Sequence, residues 1–353
     1  MTSEERETVT SFINKVLNGT AIAIVVALIP NAILATVLKP FVANSALAMD
    51  FYHIVVVFQF LTPIMAGVLI GQQFKLTPMQ MLAVGGAAFI GSGAWVFNPE
   101  IVTAVGKGAF QLKGIGDLIN MMLTASLAVL AIKAVGHKFG SLNIILLPIL
   151  IGTGVGFVGW KLLPIVSSIT TLIGQGINSF TTLQPLLMTI LIAMSFAIII
   201  VSPISTVAIG LAIGLDGLAS GAASMGIAAT TAVLVWGTLK RNKTGVPVAI
   251  GLGAMKMMMP NFLKHPIMAV PLLINAALCG AMVPMFNLVG TPATSGFGLV
   301  GLVGPIASLQ GGCGVAIMIL AWIVIPFVGG FIANKVCQDM LKLYTDDIFV
   351  FEG

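Results

Sequence analysis

Charge is scarce in this chain. Asp, Glu, Lys and Arg make up 8% of its 353 residues, against roughly 25% in an ordinary soluble protein. So little charge cannot cover the surface of a water-soluble domain of this length, and lipid must take that place. Cysteine is also scarce: Cys279, Cys313 and Cys337 are far apart, in or beside apolar segments. No Cys-x-x-Cys or mixed Cys/His spacing occurs, which excludes a zinc site and a disulfide framework. Catalytic signatures are missing as well, with no Gly-x-Ser-x-Gly, no His-Glu-x-x-His and no phosphate loop. His53, His137 and His265 are widely separated, and no glutamate occurs between Glu100 and Glu352. The net charge of +5 is spread over many short segments without a basic, aromatic-laced patch, so no nucleic-acid partner is expected. No metal and no cofactor is implied.

What is present is apolar: 58% hydrophobic residues and a mean hydropathy of +1.11. The expected fold class is all-α, a polytopic membrane protein with about eight to ten transmembrane helices and one or two re-entrant hairpins. Spans are read at 19–38, 51–71, 79–97, 117–135 and 142–160, then at 186–202, 204–237, 266–289 and 315–333. The segment 98–116 reads as a loop. Residues 1–18 are polar rather than signal-like. Thr2-x-x-Glu5 fits a capping box, and Val9, Phe12, Ile13, Val16 and Leu17 form one apolar stripe. That pattern predicts an amphipathic helix on the membrane surface.

The chain is expected to divide into a surface helix at 1–18, scaffold and dimerisation helices at 19–163, an interfacial amphipathic linker helix at 164–185, a transport domain at 186–335 and a polar C-terminal tail at 336–353. In the linker, Ile165, Ile169, Leu172, Ile173 and Ile177 recur at helical spacing among Ser, Thr, Gln and Asn, with no charge. Lys240, Arg241 and Lys243 form the densest basic cluster, which favours an inside location together with the N-terminus. Those two placements conflict if 204–237 is a single span, and a re-entrant element there reconciles them.

Gly154-x-Gly156-x-x-Gly159 matches a dinucleotide fingerprint in letters only. It lies in an apolar span, without the strand that the fingerprint needs, so helix packing through small residues is the expected role. Asn31-Ala-x-Leu recurs with the same proline spacing at Asn275-Ala-x-Leu, too short a match to define a repeat.

The region that can meet a solute is 260–313, where neutral polar groups recur among glycines and prolines. Such groups replace hydration when a small polar molecule enters the membrane. The expected substrate-binding residues are Asn261, His265, Asn275, Thr291, Thr294 and Ser295. Asp216 joins them as the one acid placed within an apolar stretch, where an ionisable group is functional by default; an interfacial Asp-Gly turn is the alternative reading.

The residues His265-Pro266-Ile-Met-Ala-Val-Pro271, Asn275-Ala276, Leu288-Val-Gly290-Thr-Pro292-Ala-Thr-Ser-Gly296-Phe-Gly298 and Gly301-Leu-Val-Gly304-Pro305 carry a family resemblance. The chain resembles the membrane-embedded enzyme IIC subunits of the phosphoenolpyruvate-dependent phosphotransferase system, most closely the branch with perfringolysin-regulator-like proteins. The resemblance implies a homodimer in a bacterial plasma membrane. It also implies a scaffold of the first five spans, re-entrant hairpins near 245–264 and 290–313, and elevator-like transport of a small polar solute such as a sugar. Separate IIA and IIB phosphocarrier proteins are implied as partners, besides membrane lipid. Sugar-phosphorylating relatives place a glutamate beside the accepting hydroxyl. Its absence here leaves two other readings, a membrane sensor or regulator that has lost phosphotransfer and a secondary transporter coupled to protons through Asp216.

Overall fold

The computed structural model describes residues 8–103, 106–135 and 140–351. The expected Thr2–Glu5 capping box and His137 lie outside the described residues. Their contacts divide the chain into two compact units. The first holds the residues up to Asn31 and Phe41–Ser167; the second holds Ala32–Pro40 and the chain from Ser168 onward.

The first unit opens with α1, Val9–Val42, capped by the Thr8 side chain, which accepts from Ser11 N. The apolar stripe at Val9–Leu17 therefore runs on without a break into the first span. α2 (Ala46–Phe60) and α3 (Thr62–Gln73) meet at a bend of 41°. α4 (Pro78–Ser92) starts with a reciprocal capping box between Thr77 and Gln80, with Pro78 in the first turn. It ends at Gly93, whose φ of 67° is the left-handed closure that glycine adopts without strain.

The third expected span, 79–97, is thus cut short at Ser92. The expected loop 98–116 is a β-hairpin instead, β1 (Trp95–Thr103) paired antiparallel with β2 (Gly106–Leu112). Trp95 faces Leu112 and Phe97 faces Phe110, and the register slips between Asn98 and Val102, around Pro99, because proline cannot donate to a ladder. α5 (Leu118–Val135) follows. α6 (Asn143–Leu147), a π-helical stretch (Pro148–Val155) and α7 (Gly156–Asn178) then run as one 40-residue helical stretch to Thr182. The expected linker helix is continuous with the fifth span.

Asn120 gathers this unit. Its fully buried amide donates to the carbonyls of Gly91 on α4 and of Gly159 on α7, at 2.5 and 2.8 Å. Gly91 and Gly159 both leave room for Thr124. The glycine at position 159 is therefore a packing surface, not part of a nucleotide loop.

The second unit is built on α10 (Gly217–Leu239), the most buried candidate span. Before it come α8 (Pro185–Ile199) and α9 (Thr206–Ala212); after it come α11 (Gly245–Gly251), α12 (Met259–Lys264), α13 (Ala269–Met285), α14 (Val303–Gln310), α15 (Val315–Ile319) and α16 (Ile325–Lys335). α8, α13 and α16 pack around α10. Gly, Ala, Ser and Thr along α10 allow the close approach on which helix association in lipid depends. Side-chain amides and rings add cross-links. Asn275 donates to the carbonyls of Ala229 and Pro326, Asn334 to that of Val233, and Trp236 to that of Phe327, at 2.8–3.0 Å.

Among the described residues six helical stretches are long and apolar enough to cross a membrane, or seven with the bent α2–α3 pair. The fold is an all-α polytopic membrane protein. The count falls below eight because several apolar stretches break into short pieces: α8 has 15 residues, and 204–237 divides into α9 and α10 at a turn through Gly214.

The tail after α16 folds back into the second unit. Tyr344 and Ile348 are buried and Phe349 is fully so. The Asn242 amide donates to Phe349 O and accepts from Phe351 N, while the Asn261 amide donates to Ile348 O and Val350 O, at 2.7–2.9 Å. Burial pushes the Tyr344 hydroxyl above its usual range, and it donates to Asn334 Oδ1 at 3.0 Å. Lys240 pairs with Asp346 and Arg241 with Asp347 at the surface.

Candidate functional site

The site lies where the N-terminus of α10 meets the unwound segment 286–302 of the same unit. Non-helical backbone at membrane depth survives where protein satisfies its polar groups, and here α9 and α10 do so. Gly217 and Gly290 exchange two backbone hydrogen bonds of 3.0 and 3.1 Å as an antiparallel bridge. Gly217 has a φ of 56°, which lets the chain turn from the bridge into the helix. One turn on, Ser220 Oγ donates to Thr291 O at 2.7 Å, and Ser224 Oγ to Thr294 O at 2.8 Å. From α9, Thr206 Oγ1 donates to Gly296 O at 2.8 Å.

The pinned segment carries its own turn. Thr294 Oγ1 accepts from Thr291 N at 2.8 Å and donates to Thr291 O at 3.0 Å. Ser295 is fully buried and donates to Pro292 O at 2.9 Å. Thr291 is exposed. The bridge is a single isolated pair, and Asp216 and Thr291 each stand one residue from its glycines in sequence. Asp216 is exposed and begins α10 without capping it.

Beside this junction is an open cavity of about 330 Å³. Asn178, Thr181 and Asp216 give it polar groups, and Met188, Leu215 and Leu218 give it an apolar wall. Its volume falls at the lower end of the range for small-molecule sites.

The residues singled out in the sequence separate into groups. Asp216, Thr291, Thr294 and Ser295 come together at the junction. Asn275 is fully buried, and its amide hydrogens go to Ala229 O and Pro326 O. Asn261 spends its amide on the C-terminal segment. His265 is exposed at the end of α12, before Pro266.

Sequence reasoning passed over Ser220 and Ser224, although Gly217, Ser220, Gly221 and Ser224 fall at i, i+3, i+4 and i+7, a small polar stripe on one helix face. It also passed over Lys256. That side chain is buried and donates from Nζ to Ser202 O at 2.6 Å and Ile204 O at 2.8 Å, tying the turn at Met255–Met258 to the chain just after α8. Among the described residues no group of His, Cys, Asp and Glu is placed to hold a metal ion.

A membrane-embedded bundle with a broken, hydroxyl-pinned segment against its most buried helix is the architecture of a transport protein. The chain belongs to the enzyme IIC family of the phosphotransferase system: the family model described as "Phosphotransferase system, EIIC" matches residues 14–351. It is a membrane component of phosphotransferase type, multi-pass in the plasma membrane, in a family that works with IIA and IIB phosphocarriers. No curated protein and no solved structure matches it.

Proposed function

We propose that this chain moves a small hydroxylated solute, a sugar or a related polyol, across the membrane by elevator-like alternating access, as a homodimer. The observation that carries the reading is the Gly217–Gly290 bridge, which holds an unwound segment against the start of α10, next to the cavity that Asp216 lines. A carboxylate, an amide and a hydroxyl there suit hydroxyl groups of a solute, and the apolar wall suits the C–H face of a sugar ring. Among the described residues no lysine or arginine lines the cavity, which favours a neutral solute over an anionic one. In this reading Asp216, Thr291 and Thr294 meet the solute, Ser295, Asn275 and Asn261 hold the frame around it, and His265 stands at the hairpin end. Resemblance at 265–305 supports the branch with perfringolysin-regulator-like proteins.

Thermal unfolding of the purified protein in detergent, screened against sugars, polyols and sugar acids, tests the reading. A ligand of the folded state raises the midpoint as its concentration exceeds its dissociation constant. A saturable rise with one sugar or polyol class, weakened in Thr291→Val, is the expected result. A rise confined to sugar acids, or no rise with any polar solute, overturns it. A second reading, a sensor that binds without transporting, is favoured by the lack of any glutamate between Glu100 and Glu352. Binding without flux in proteoliposomes identifies that case.

A further inference from the structure

The β1–β2 hairpin has two unlike faces. Residues directly across an antiparallel pair share a face, so Trp95, Phe97, Phe110 and Leu112 line one side, while Asn98 and Gln111 fall on the other with Val96 and Ala109. The first side is wholly apolar; on the second, Asn98 Nδ2 donates to Gln111 Oε1 at 3.3 Å. The apolar side has no cover within the first unit, since Phe97, Phe110 and Leu112 are 48%, 74% and 45% exposed.

The hairpin is held firmly at its base. Lys113 N donates to Ala94 O and Asp117 N to Ser92 O, at 2.8 and 2.7 Å, and Trp95 Nε1 donates to Ile90 O at 3.2 Å. It therefore leaves the bundle where α4 ends and the candidate span α5 begins, which is the level of a membrane surface. The apolar side is also continuous with another surface. Trp95 stacks on Trp160 of α7 at 6.0 Å, and Phe157 lies 6.2 Å from Trp160. Trp160 belongs to the 40-residue stretch Asn143–Thr182, which is the candidate span with the smallest buried share. Lys161 caps this cluster, its ammonium 4.7 Å from the Trp160 ring and 5.5 Å from the Phe157 ring. Aromatic rings beside a lysine on a lipid-facing helix, level with the end of α4 and the start of α5, are the pattern of a membrane interface.

We propose that the hairpin is an interfacial anchor whose Trp95–Phe97–Phe110–Leu112 face lies among the lipid headgroups and upper acyl chains, with its Asn98–Gln111 face toward water. Its occupant is the bilayer itself. The Trp95–Trp160 stack makes the hairpin an extension of the lipid-facing flank of α7, at the depth where amphipathic aromatic groups partition.

Site-directed spin labelling tests this in the full chain, with the three native cysteines replaced by Ala. The protein is placed in nanodiscs of phosphatidylcholine and phosphatidylglycerol. Single labels at Phe97→Cys and Phe110→Cys are expected to collide more with oxygen than with a water-soluble nickel chelate. Labels at Asn98→Cys and Gln111→Cys are expected to show the reverse preference. Equal chelate accessibility on both faces overturns the proposal. So does dipolar broadening between labels at position 110, which would assign the apolar face to a second copy of the chain. A measurement on tryptophan emission, in protein that keeps its native cysteines, decides the matter if the cysteine-replaced protein fails to fold. Lipids brominated near the headgroup should quench part of the tryptophan emission, and the double variant Trp95→Phe/Trp160→Phe should lose that part. Quenching unchanged by the double variant overturns the proposal.

Discussion

Gly221 of α10 lies directly under the carbonyl oxygen of Leu288, so close that no side chain fits between them. The contact lies one turn beyond the Gly217–Gly290 bridge and sets how near the unwound segment comes to the helix. Gly221→Ala must push that segment away. The expected cost is about 1–3 kcal/mol, as for other overpacked cores, read as a lower unfolding midpoint together with weaker solute binding.

Asn275 provides the contrasting case. Its amide ties α13 to α10 and α16. Asn275→Ala removes both cross-links from a buried position and is expected to lower stability by about 1–3 kcal/mol. Solute preference should stay as it is. A changed preference with an unchanged midpoint would move Asn275 to the solute side.

Asp216 separates two mechanisms. If its carboxylate only receives solute hydroxyls, Asp216→Asn keeps flux at high solute concentration and weakens apparent affinity about tenfold, the effect of one charged hydrogen bond. If it carries a coupling proton, Asp216→Asn abolishes flux driven by a proton gradient. Counterflow and gradient-driven uptake in the same vesicles tell the two apart.

Lys256 holds two carbonyls after α8 with one ammonium. Lys256→Ala strips both of their donor and should destabilise by about 1–3 kcal/mol. Lys256→Met should cost less, because it fills the space and removes the expense of keeping a charge out of water. Unfolding midpoints of the two variants in one detergent give the comparison.

The C-terminal segment is held by burial more than by charge. Phe349 is fully buried against Gly237, while the Arg241–Asp347 pair is exposed. Phe349→Ala is expected to cost about 3–5 kcal/mol and Arg241→Gln no more than about 1 kcal/mol. Equal costs would mean that the ion pairs carry the docking.

Much of this fold was legible because helical spans write themselves in long apolar runs. The expected span 117–135 became α5 at Leu118–Val135, and the Gly/Pro-rich stretch 290–302 became the unwound segment. The hairpin was not legible. Trp95, Phe97, Phe110 and Leu112 alternate with other residues over runs too short to stand out, and Pro99 with Gly106, Gly108, Gly114 and Gly116 read as loop. The docking of the tail was hidden too, since Asp346 and Asp347 beside Phe349 look like a solvated end. The candidate site was half visible. A sequence shows that Asn261 and Asn275 are amides in apolar surroundings, but not whether a solute or a neighbouring carbonyl takes their hydrogens. Ser220 and Ser224 did not stand out because hydroxyls in helices usually bond their own turn, whereas these two bond across to the unwound segment.

The grip of Asn242 and Asn261 on the tail also sets an order of events during synthesis. Asn242 precedes its partner Phe351 by 109 residues, and Asn261 precedes Ile348 by 87. At about 5–20 residues per second, the two amides wait roughly 5–20 s in the inserted chain before the backbone that satisfies them leaves the ribosome. Until then the hydrogen bonds through which the tail joins Asn242, after α10, to Asn261 on α12 are unmade. The packing of α8, α13 and α16 on α10 can precede the end of synthesis, and the docking of residues 348–351 onto Asn242 and Asn261 follows it.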